Sequence, residues 1–294
     1  MKPSNRKAYD PDTFSYGLEL ELGDVPRSLC IPERYGAWEY AETDIVNVHP
    51  PYQYVAADPL GLEPPVGGEI NTRPTRGHAA QAALASKLLN WIRRRGHMPT
   101  RSCVAELHVH VHGPGLTEDV DALCRFVRYV GGNQHDAIRA CQQFDQRKIP
   151  KGAPGVGYLK YDIGRPTPAW LVDNLCAATD FQDFLRIYCC GRDGVSRGRP
   201  LRYGINLYCL KHTRTVEFRM FRATVCGSEI ADCLRFVHEF TVAALNNGPR
   251  VEEILRKRRY QFPPFTYDEA EMRGWLATRW SKERGTKERR YVPV

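Results

Sequence analysis

The chain has 294 residues, of which 42% are hydrophobic and 26% charged, enough to bury a core in one large domain or two ordinary ones. Its net charge of +8 is compatible with ATP, an acidic substrate or a nucleic acid, but no zinc finger or RNP-type strand is present. No apolar run approaches the ~20 residues of a membrane span, and the polar N-terminus lacks the apolar stretch of a secretory signal. We therefore expect a cytoplasmic protein with no membrane partner.

The first predicted element is a β-strand at residues 13–22, in which apolar and acidic side chains alternate. Alternation puts Glu19 and Glu21 on one face of the strand and leucines on the other. A Pro-rich, irregular stretch at residues 48–66 follows. We expect the strand to be half buried, with its carboxylates on the polar side.

Two amphipathic helices and another strand are predicted next. The first helix covers residues 78–95, and a strand at residues 103–112 returns to alternation. The second helix covers residues 117–130 and is expected to end at a pair of glycines. A stretch rich in Gly and Pro, residues 148–168, is predicted to be a long loop.

The remaining elements are a hairpin and helices. Strands at residues 202–210 and 213–223 form the predicted hairpin, a long helix covers residues 228–247, and a capping box at Thr266 opens a last helix. Neither the Rossmann nor the P-loop glycine motif occurs. This order predicts an α+β fold with a largely antiparallel, curved sheet and helices packed on one face.

We expect a single catalytic domain over residues 1–294. Its sheet and motifs occupy residues 13–224, and residues 225–294 form a helical C-terminal part with a basic tail. The ten cysteines are scattered without a C-x-x-C motif, which argues against a structural zinc site or a disulfide framework.

Histidines occupy alternate positions of the strand at residues 103–112. One face of that strand carries Glu106, His108, His110 and His112. Histidine is an unusual filler for an exposed strand and a common neutral metal ligand. For any one strand, the alternative is an ordinary solvated face. Glu106 and His112 could equally be additional metal ligands or polar side chains with no part in metal binding.

The predicted strands would gather several carboxylates and imidazoles if they lie in one sheet. Glu217 and Arg219 also share a face, on the last strand. Like charges so close together destabilise one another unless a cation or proton intervenes. Mixed carboxylate and histidine ligands suit Mg²⁺ or Mn²⁺, and a neighbouring arginine suits phosphate. The sequence thus favours a metal site that could serve phosphoryl transfer from ATP.

Several short segments between residues 16 and 224 occur in the order found in the amidoligase family, which is distantly related to glutamine synthetase and glutamate–cysteine ligase. The resembling segments are Tyr16 to Glu21, Trp38 followed by Asp44, Glu69 to Pro74, Leu107 to Val111, Asn206 with Leu207, and Thr215 to Phe221. The chain resembles this family over most of its length.

The resemblance implies a glutamine-synthetase-like catalytic sheet and a ligase that uses ATP with Mg²⁺ or Mn²⁺. Such a ligase activates a carboxylate as an acyl phosphate and joins it to an amine in an amide or peptide-type bond. The carboxylate would belong to a small molecule or a peptide. The net charge of +8 is also compatible with an acidic macromolecular substrate, either a nucleic acid or a protein.

The resemblance also implies roles for individual residues. Arg219 would stabilise the transferring phosphoryl group at a catalytic centre shared with Glu217 and Glu21, and Asn206 would lie near the substrate. The implied metal ligands are Glu21 and Glu69 for one ion, and Glu19, Glu217 and either His108 or His110 for a second.

Two basic residues outside the predicted strand faces are candidates for contact with the nucleotide. Lys151 opens a Gly-rich loop at residues 151–157 that could close over phosphates, although a flexible surface loop is the alternative. Arg202 lies in an Arg-rich stretch beside a predicted catalytic strand. We expect both to help bind ATP or the substrate.

Two other functions are compatible with parts of the pattern. A metal-dependent amidohydrolase would use the alternating histidines, but it has no ready use for the Glu-x-Glu strand or for Arg219. A nucleic-acid-binding or structural protein on a ligase-like scaffold is supported only by the basic charge.

Overall fold

An antiparallel sheet organises the chain in the computed structural model, which describes residues 8–22, 68–99, 106–117, 119–142, 165–190 and 203–264. Its strands are β1 (Ser15–Leu22), β2 (Gly68–Asn71), β3 (Thr75–Arg76), β4 (Glu106–His112), β5 (Ile205–Asn206) and β6 (Val216–Arg222). The strand order is β2-β1-β4-β6-β5, and β3 also pairs with β1. Every described pair is antiparallel, which confirms the predicted direction of the sheet.

Helices account for most of the other regular structure. A short 3-10 helix, Pro11–Thr13, precedes β1. The α-helices are α1 (His78–Arg94), α2 (Pro114–Thr117), α3 (Val120–Gln142), α4 (Ala169–Cys176), α5 (Phe181–Cys189), α6 (Cys209–His212), α7 (Gly227–Asn246) and α8 (Val251–Lys257). None of these described helices has both the length and the apolar character to cross a membrane.

The core lies between one face of the sheet and the long helices. Phe218 of β6 makes edge-to-face contacts with Phe126 of α3 and Phe240 of α7, at ring-centroid distances of 6.5 and 5.5 Å. Leu18 and Val109, paired across β1 and β4, are also fully buried. Because neighbouring residues of a strand point to opposite faces, this apolar packing fixes which face of the sheet carries the carboxylates and histidines.

A β-bulge interrupts the pairing of β4 with β6. Val109 pairs with Phe218 and Leu107 with Phe221, so Arg219 and Met220 of β6 together oppose a single residue of β4. The extra residue shifts the alternation of β6 between its two faces by one position beyond the bulge. Phe221 consequently packs in the core, and Arg222 pairs with a residue of the polar face.

Several predicted boundaries were wrong. Helix α3 continues to Gln142, past the glycines at which we expected it to end, because apolar residues on its next turns are buried against the rest of the core. The predicted hairpin is reduced to the two-residue strand β5 and the short helix α6 before β6. Helices α4, α5 and α8 were not predicted.

The other helix and strand predictions agree with the structure within a few residues. The strand at 13–22 corresponds to β1, the helix at 78–95 to α1, and the helix at 228–247 to α7. The helix predicted from Thr266 and the basic tail lie outside the described residues.

Candidate metal centre

Strands β1 and β4 bring a carboxylate against two imidazoles. In their register, Glu19 pairs with His108 and lies diagonally to His110. The Nδ1 of His108 is 2.6 Å from Oε2 of Glu19, and the Nε2 of His110 is 2.8 Å from Oε1 of the same carboxylate. Alternation on β1 and β4 therefore places these three side chains together, as the sequence indicated.

Strand β6 adds a second carboxylate beside the same histidines. Glu217 pairs with His110 across β4 and β6, and its Oε1 lies 3.4 Å from Nδ1 of His108. Its other oxygen accepts a hydrogen bond of 2.6 Å from Nδ2 of Asn206, the residue paired with it on β5. Four neighbouring strands thus contribute to one cluster.

Arg219 spans two of the carboxylates. Its Nη1 donates to Oε1 of Glu217 at 2.6 Å, and its Nη2 donates to Oε2 of Glu106 at 3.3 Å. Both glutamates are almost fully buried, so the guanidinium supplies positive charge where water is largely excluded. The neighbouring carboxylates in turn keep the pKa of Arg219 above its ordinary value despite its burial.

Both ring nitrogens of His108 face carboxylates. Nδ1 contacts Glu19 and Nε2 lies 2.9 Å from Oε2 of Glu106, and since a carboxylate only accepts, both nitrogens carry protons. Burial and the charge of Arg219 lower the pKa of His108, but the hydrogen bonds to Glu106 and Glu19 and the charge of Glu217 raise it well above its ordinary value. These contacts favour the protonated, cationic form of His108.

The carboxylates of Glu19 and Glu217 are ionised for the same reason. Burial alone would raise the pKa of Glu19, but its hydrogen bonds to His108 and His110 lower it far below the ordinary range. Burial likewise opposes ionisation of Glu217, whereas the charges of His108 and Arg219 lower its pKa to about 2. Both groups are thus available as charged ligands at neutral pH.

Three of these side chains can converge on one ion. Ligand atoms of Glu19, His110 and Glu217 all lie within 4.8 Å of one another. Bonds of about 2.0–2.2 Å from a shared ion hold their ligand atoms no more than about 4.4 Å apart, so small side-chain movements would close the set. Two carboxylates and one imidazole are a donor set that suits Mg²⁺, Mn²⁺ or Zn²⁺.

The glutamates of the other implied ion occupy neighbouring strands. Glu21 of β1 pairs with Glu69 of β2, which places the two backbones side by side. Oε2 of Glu21 accepts a 2.8 Å hydrogen bond from the backbone N–H of Glu106. The side chain of Glu69 lies outside the described part of the structure.

Of the remaining predicted residues, His112 does not join the cluster. His112 lies at the end of β4, where its Nδ1 donates to the backbone carbonyl of Arg214 at 2.8 Å, and it is exposed. Lys151 and Arg202 lie outside the described residues, as do Trp38 and Asp44 of the resembling segments. Glu106, which suited a ligand or a filler equally well, lies inside the cluster in contact with His108 and Arg219.

Sequence reasoning missed several side chains that contact the cluster. The Cys209 thiol donates to Oε2 of Glu217 at 3.2 Å, and burial with that carboxylate raises the pKa of the thiol, which keeps it protonated. Tyr188 of α5 donates to Oδ1 of Asn206, and Thr215 contacts His110. Cys209 and Thr215 come from a four-residue helix and a turn, which carry no periodic signal. Tyr188 continues a helical spacing of apolar residues on α5 (Phe181, Phe184 and Leu185), and that pattern could have placed it on a buried helix face.

No protein-family model matches the chain, and a search of curated proteins found no match either.

Proposed function

We propose that the chain is an ATP- and divalent-metal-dependent carboxylate–amine ligase of the amidoligase type, with a sheet of the glutamine-synthetase kind. The observation that best supports this is the convergence of Glu19, His110 and Glu217 beside the guanidinium of Arg219. Phosphoryl transfer needs a metal ion on the phosphate oxygens and a cation for the charge that develops on the transferred group. The cluster offers residues for both tasks.

The reaction would consume one ATP for each bond formed. The carboxylate of the first substrate attacks the γ-phosphorus of ATP and forms an acyl phosphate, with ADP as the leaving group. The amine of the second substrate then attacks the acyl carbon and expels phosphate, losing a proton as the amide forms. ADP, phosphate and the amide are the products, and the acidic substrate is a small molecule, a peptide or a larger acidic partner.

Arg219 would change partners during this cycle. In the structure its guanidinium is held by Glu217 and Glu106. A Mg²⁺ or Mn²⁺ ion on Glu217 would compensate that carboxylate and supply positive charge to the phosphate oxygens. Arg219 could then donate to the transferring phosphoryl group, where its charge stabilises the transition state more than the bound substrate.

Other residues complete the proposal. Glu21 and Glu69, paired across β1 and β2, would hold a second metal ion. Asn206, fixed beside Glu217, would contact the substrate, and Lys151 and Arg202 would contact ATP. We propose the cytoplasm as the place of this reaction, because it supplies ATP and Mg²⁺ together.

Chemical denaturation with and without Mg²⁺–ATP tests the proposal on the purified protein. At a ligand concentration about 100 times the dissociation constant, the free energy of unfolding should rise by about 2.7 kcal/mol. Glu217→Gln should lose most of this gain because it removes a ligand charge. Glu239→Gln is the matched control: this α7 residue contacts Tyr260 and Arg258, so it should respond as the wild type does.

Activity measurements distinguish the alternatives. Phosphate release that depends on Mg²⁺ and on both a carboxylate and an amine, with loss of water between the two by mass spectrometry, would support the ligase. Tightly bound zinc with amide cleavage in the absence of nucleotide would instead identify an amidohydrolase. Nucleic-acid binding that is unchanged in Glu217→Gln, without any response to Mg²⁺–ATP, would support the binding protein.

A further inference from the structure

A chain of hydrogen bonds leads from His110 away from the carboxylates. The Nδ1 of His110 lies 3.0 Å from Oγ1 of Thr215, and that hydroxyl lies 2.7 Å from Oγ1 of Thr213. The chain ends where Thr213 donates to the backbone carbonyl of Cys209 at 3.0 Å. The opposite ring nitrogen of His110, Nε2, faces Glu19.

The end of the chain sets the direction of every bond in it. A carbonyl oxygen can only accept, so the proton of Thr213 points to Cys209. The oxygen of Thr213 then accepts from Thr215, and the oxygen of Thr215 accepts from His110. One proton of His110 is thereby placed on Nδ1, and the contact of Nε2 with the Glu19 carboxylate is the one that a metal ion would replace.

From this geometry we propose that Thr215 and Thr213 are positioning residues that keep a proton on Nδ1 of His110 and present its Nε2 to the metal ion. The inference rests on the metal site of the proposed function and refines it. A histidine that binds a metal through one nitrogen is oriented by the hydrogen bond that its other nitrogen donates. Thr215 and Thr213 provide that bond.

The same reasoning separates the two candidate histidines. Both nitrogens of His108 are occupied by carboxylates, Glu19 on one side and Glu106 on the other. His110 has a carboxylate on Nε2 and a hydroxyl on Nδ1. His110 is thus the metal ligand of the pair, and His108 is the neighbouring cation that holds Glu19 and Glu106 in place.

The turn before β6 fixes the two threonines. Arg214, between them, adopts a left-handed backbone conformation with φ of 57°, which is unusual for a residue other than glycine. The backbone N–H of Thr213 also donates to the carbonyl of Cys209, at 2.8 Å. This turn holds the Thr213 hydroxyl beside the carbonyl that gives the chain its direction.

Substitution of Thr215 tests the inference through metal binding and not through activity. Thr215→Val keeps the shape of the side chain but removes the hydroxyl, and should weaken Mn²⁺ binding, measured by electron paramagnetic resonance, by about 10- to 100-fold. Thr215→Ser restores the hydroxyl and should restore the affinity. Thr241→Val, a buried position of α7, is the control and should bind Mn²⁺ as the wild type does.

Nitrogen chemical shifts of ¹⁵N-labelled histidine report the proton position directly. In the Mg²⁺-loaded wild type the proton of His110 should be on Nδ1, and in Thr215→Val that preference should weaken. Thr213→Val should show a smaller effect in the same direction, and it serves as the second variant if Thr215→Val does not fold.

The outcomes separate the positioning role from the metal site itself. Wild-type affinity and an unchanged proton position in Thr215→Val and Thr213→Val would overturn the positioning role and leave the metal site standing. A wild-type protein that binds neither Mn²⁺ nor Mg²⁺ would overturn the metal site and the positioning role together.

Discussion

Two histidine clusters lie on opposite faces of β1. The surroundings favour charged histidine in one cluster and neutral histidine in the other. On the polar face, the carboxylates of Glu19 and Glu106 make His108 a buried cation. On the apolar face, His238 of α7 stacks on His78 of α1 at a ring-centroid distance of 4.4 Å, and its Nδ1 lies 2.8 Å from the hydroxyl of Tyr16. Histidine thus takes part in a network of charged hydrogen bonds in the first cluster and in an aromatic stack in the second.

The surroundings of the second cluster favour neutral rings. Burial and then the charge of Arg235 lower the pKa of His78. Burial and then His78 lower the pKa of His238 to about 4. A neutral His238 can accept the hydrogen bond of Tyr16 through Nδ1, and protonation would abolish that acceptor. Histidine content therefore does not distinguish the two clusters; carboxylates within hydrogen-bonding distance do.

The largest expected effect comes from removing the cation that the polar cluster shares. Arg219→Ala leaves Glu217 and Glu106 buried without their guanidinium, and should lower the free energy of unfolding of the metal-free protein by about 3–5 kcal/mol. Mn²⁺ should recover part of the loss. The partly exposed pair of Arg235 and Asp232 provides the control, and Arg235→Ala should cost less than about 1 kcal/mol in the same urea titrations. Equal losses would contradict the electrostatic account.

His108 should make the metal-free protein less stable in alkali. Its folded pKa is raised, so its contribution is fully present below the unfolded pKa of about 6.5 and is lost as the pH rises through the folded value. Urea unfolding of the wild type above pH 6.5 should show this decline, and His108→Gln should show less of it. An identical alkaline slope in the variant would mean that His108 is neutral when folded.

His238 should have the opposite effect on the acid side. Its folded pKa of about 4 lies below the unfolded value, so its contribution is present above about pH 6.5 and is lost as the pH falls towards 4. Because the ring is partly solvated, we expect a loss of only about 1–2 kcal/mol. His238→Gln should flatten this part of the urea-unfolding profile, whereas His135→Gln, at an exposed position of α3, should leave it unchanged. A variant with the wild-type acid slope would count against this assignment.

The smallest effect should come from the edge of the polar cluster. The buried hydroxyl of Tyr188 donates to Asn206 and accepts from the backbone N–H of Leu207, each at 3.1 Å. Tyr188→Phe leaves that N–H without its partner and should cost about 1–2 kcal/mol by urea denaturation. Tyr203→Phe, whose ring packs edge-on against Tyr188, is the comparison. A loss no larger than in the control would show that α5 does not support the cluster.

The difference between the clusters also explains what the sequence could predict. Alternation placed Glu19, His108 and Glu217 on polar faces, because each strand must bury its other face. The three side chains come together because β1, β4 and β6 are neighbouring strands. Tyr16, His78 and His238 meet through helix packing across distant parts of the chain, and no local pattern records that contact.

The hydrogen bonds that residues of turns and helices make to the polar cluster could not be predicted from the sequence either. From the sequence, carboxylates, imidazoles and a guanidinium could be selected as candidate site groups by their chemistry. The proposal that His110 and not His108 binds the metal depends on their contacts with Thr215 and Glu106. The direction and register of the sheet follow from pairing, whereas the end of α3 follows from burial against other helices. Tertiary packing decided each of these points.

The β-bulge gives β6 one residue more than the stretch of β4 that it pairs with. Four residues separate Glu217 from Arg222 on β6, whereas three separate their partners His110 and Glu106 on β4. Deletion of Met220 would remove the bulge and give one-to-one pairing, with Phe221 still opposite Leu107 in the core and Arg222 still opposite Glu106. The bulge therefore does not decide which residues face the core; its consequence is the added local twist of β6 beside Arg219, which helps to aim that guanidinium between Glu217 and Glu106.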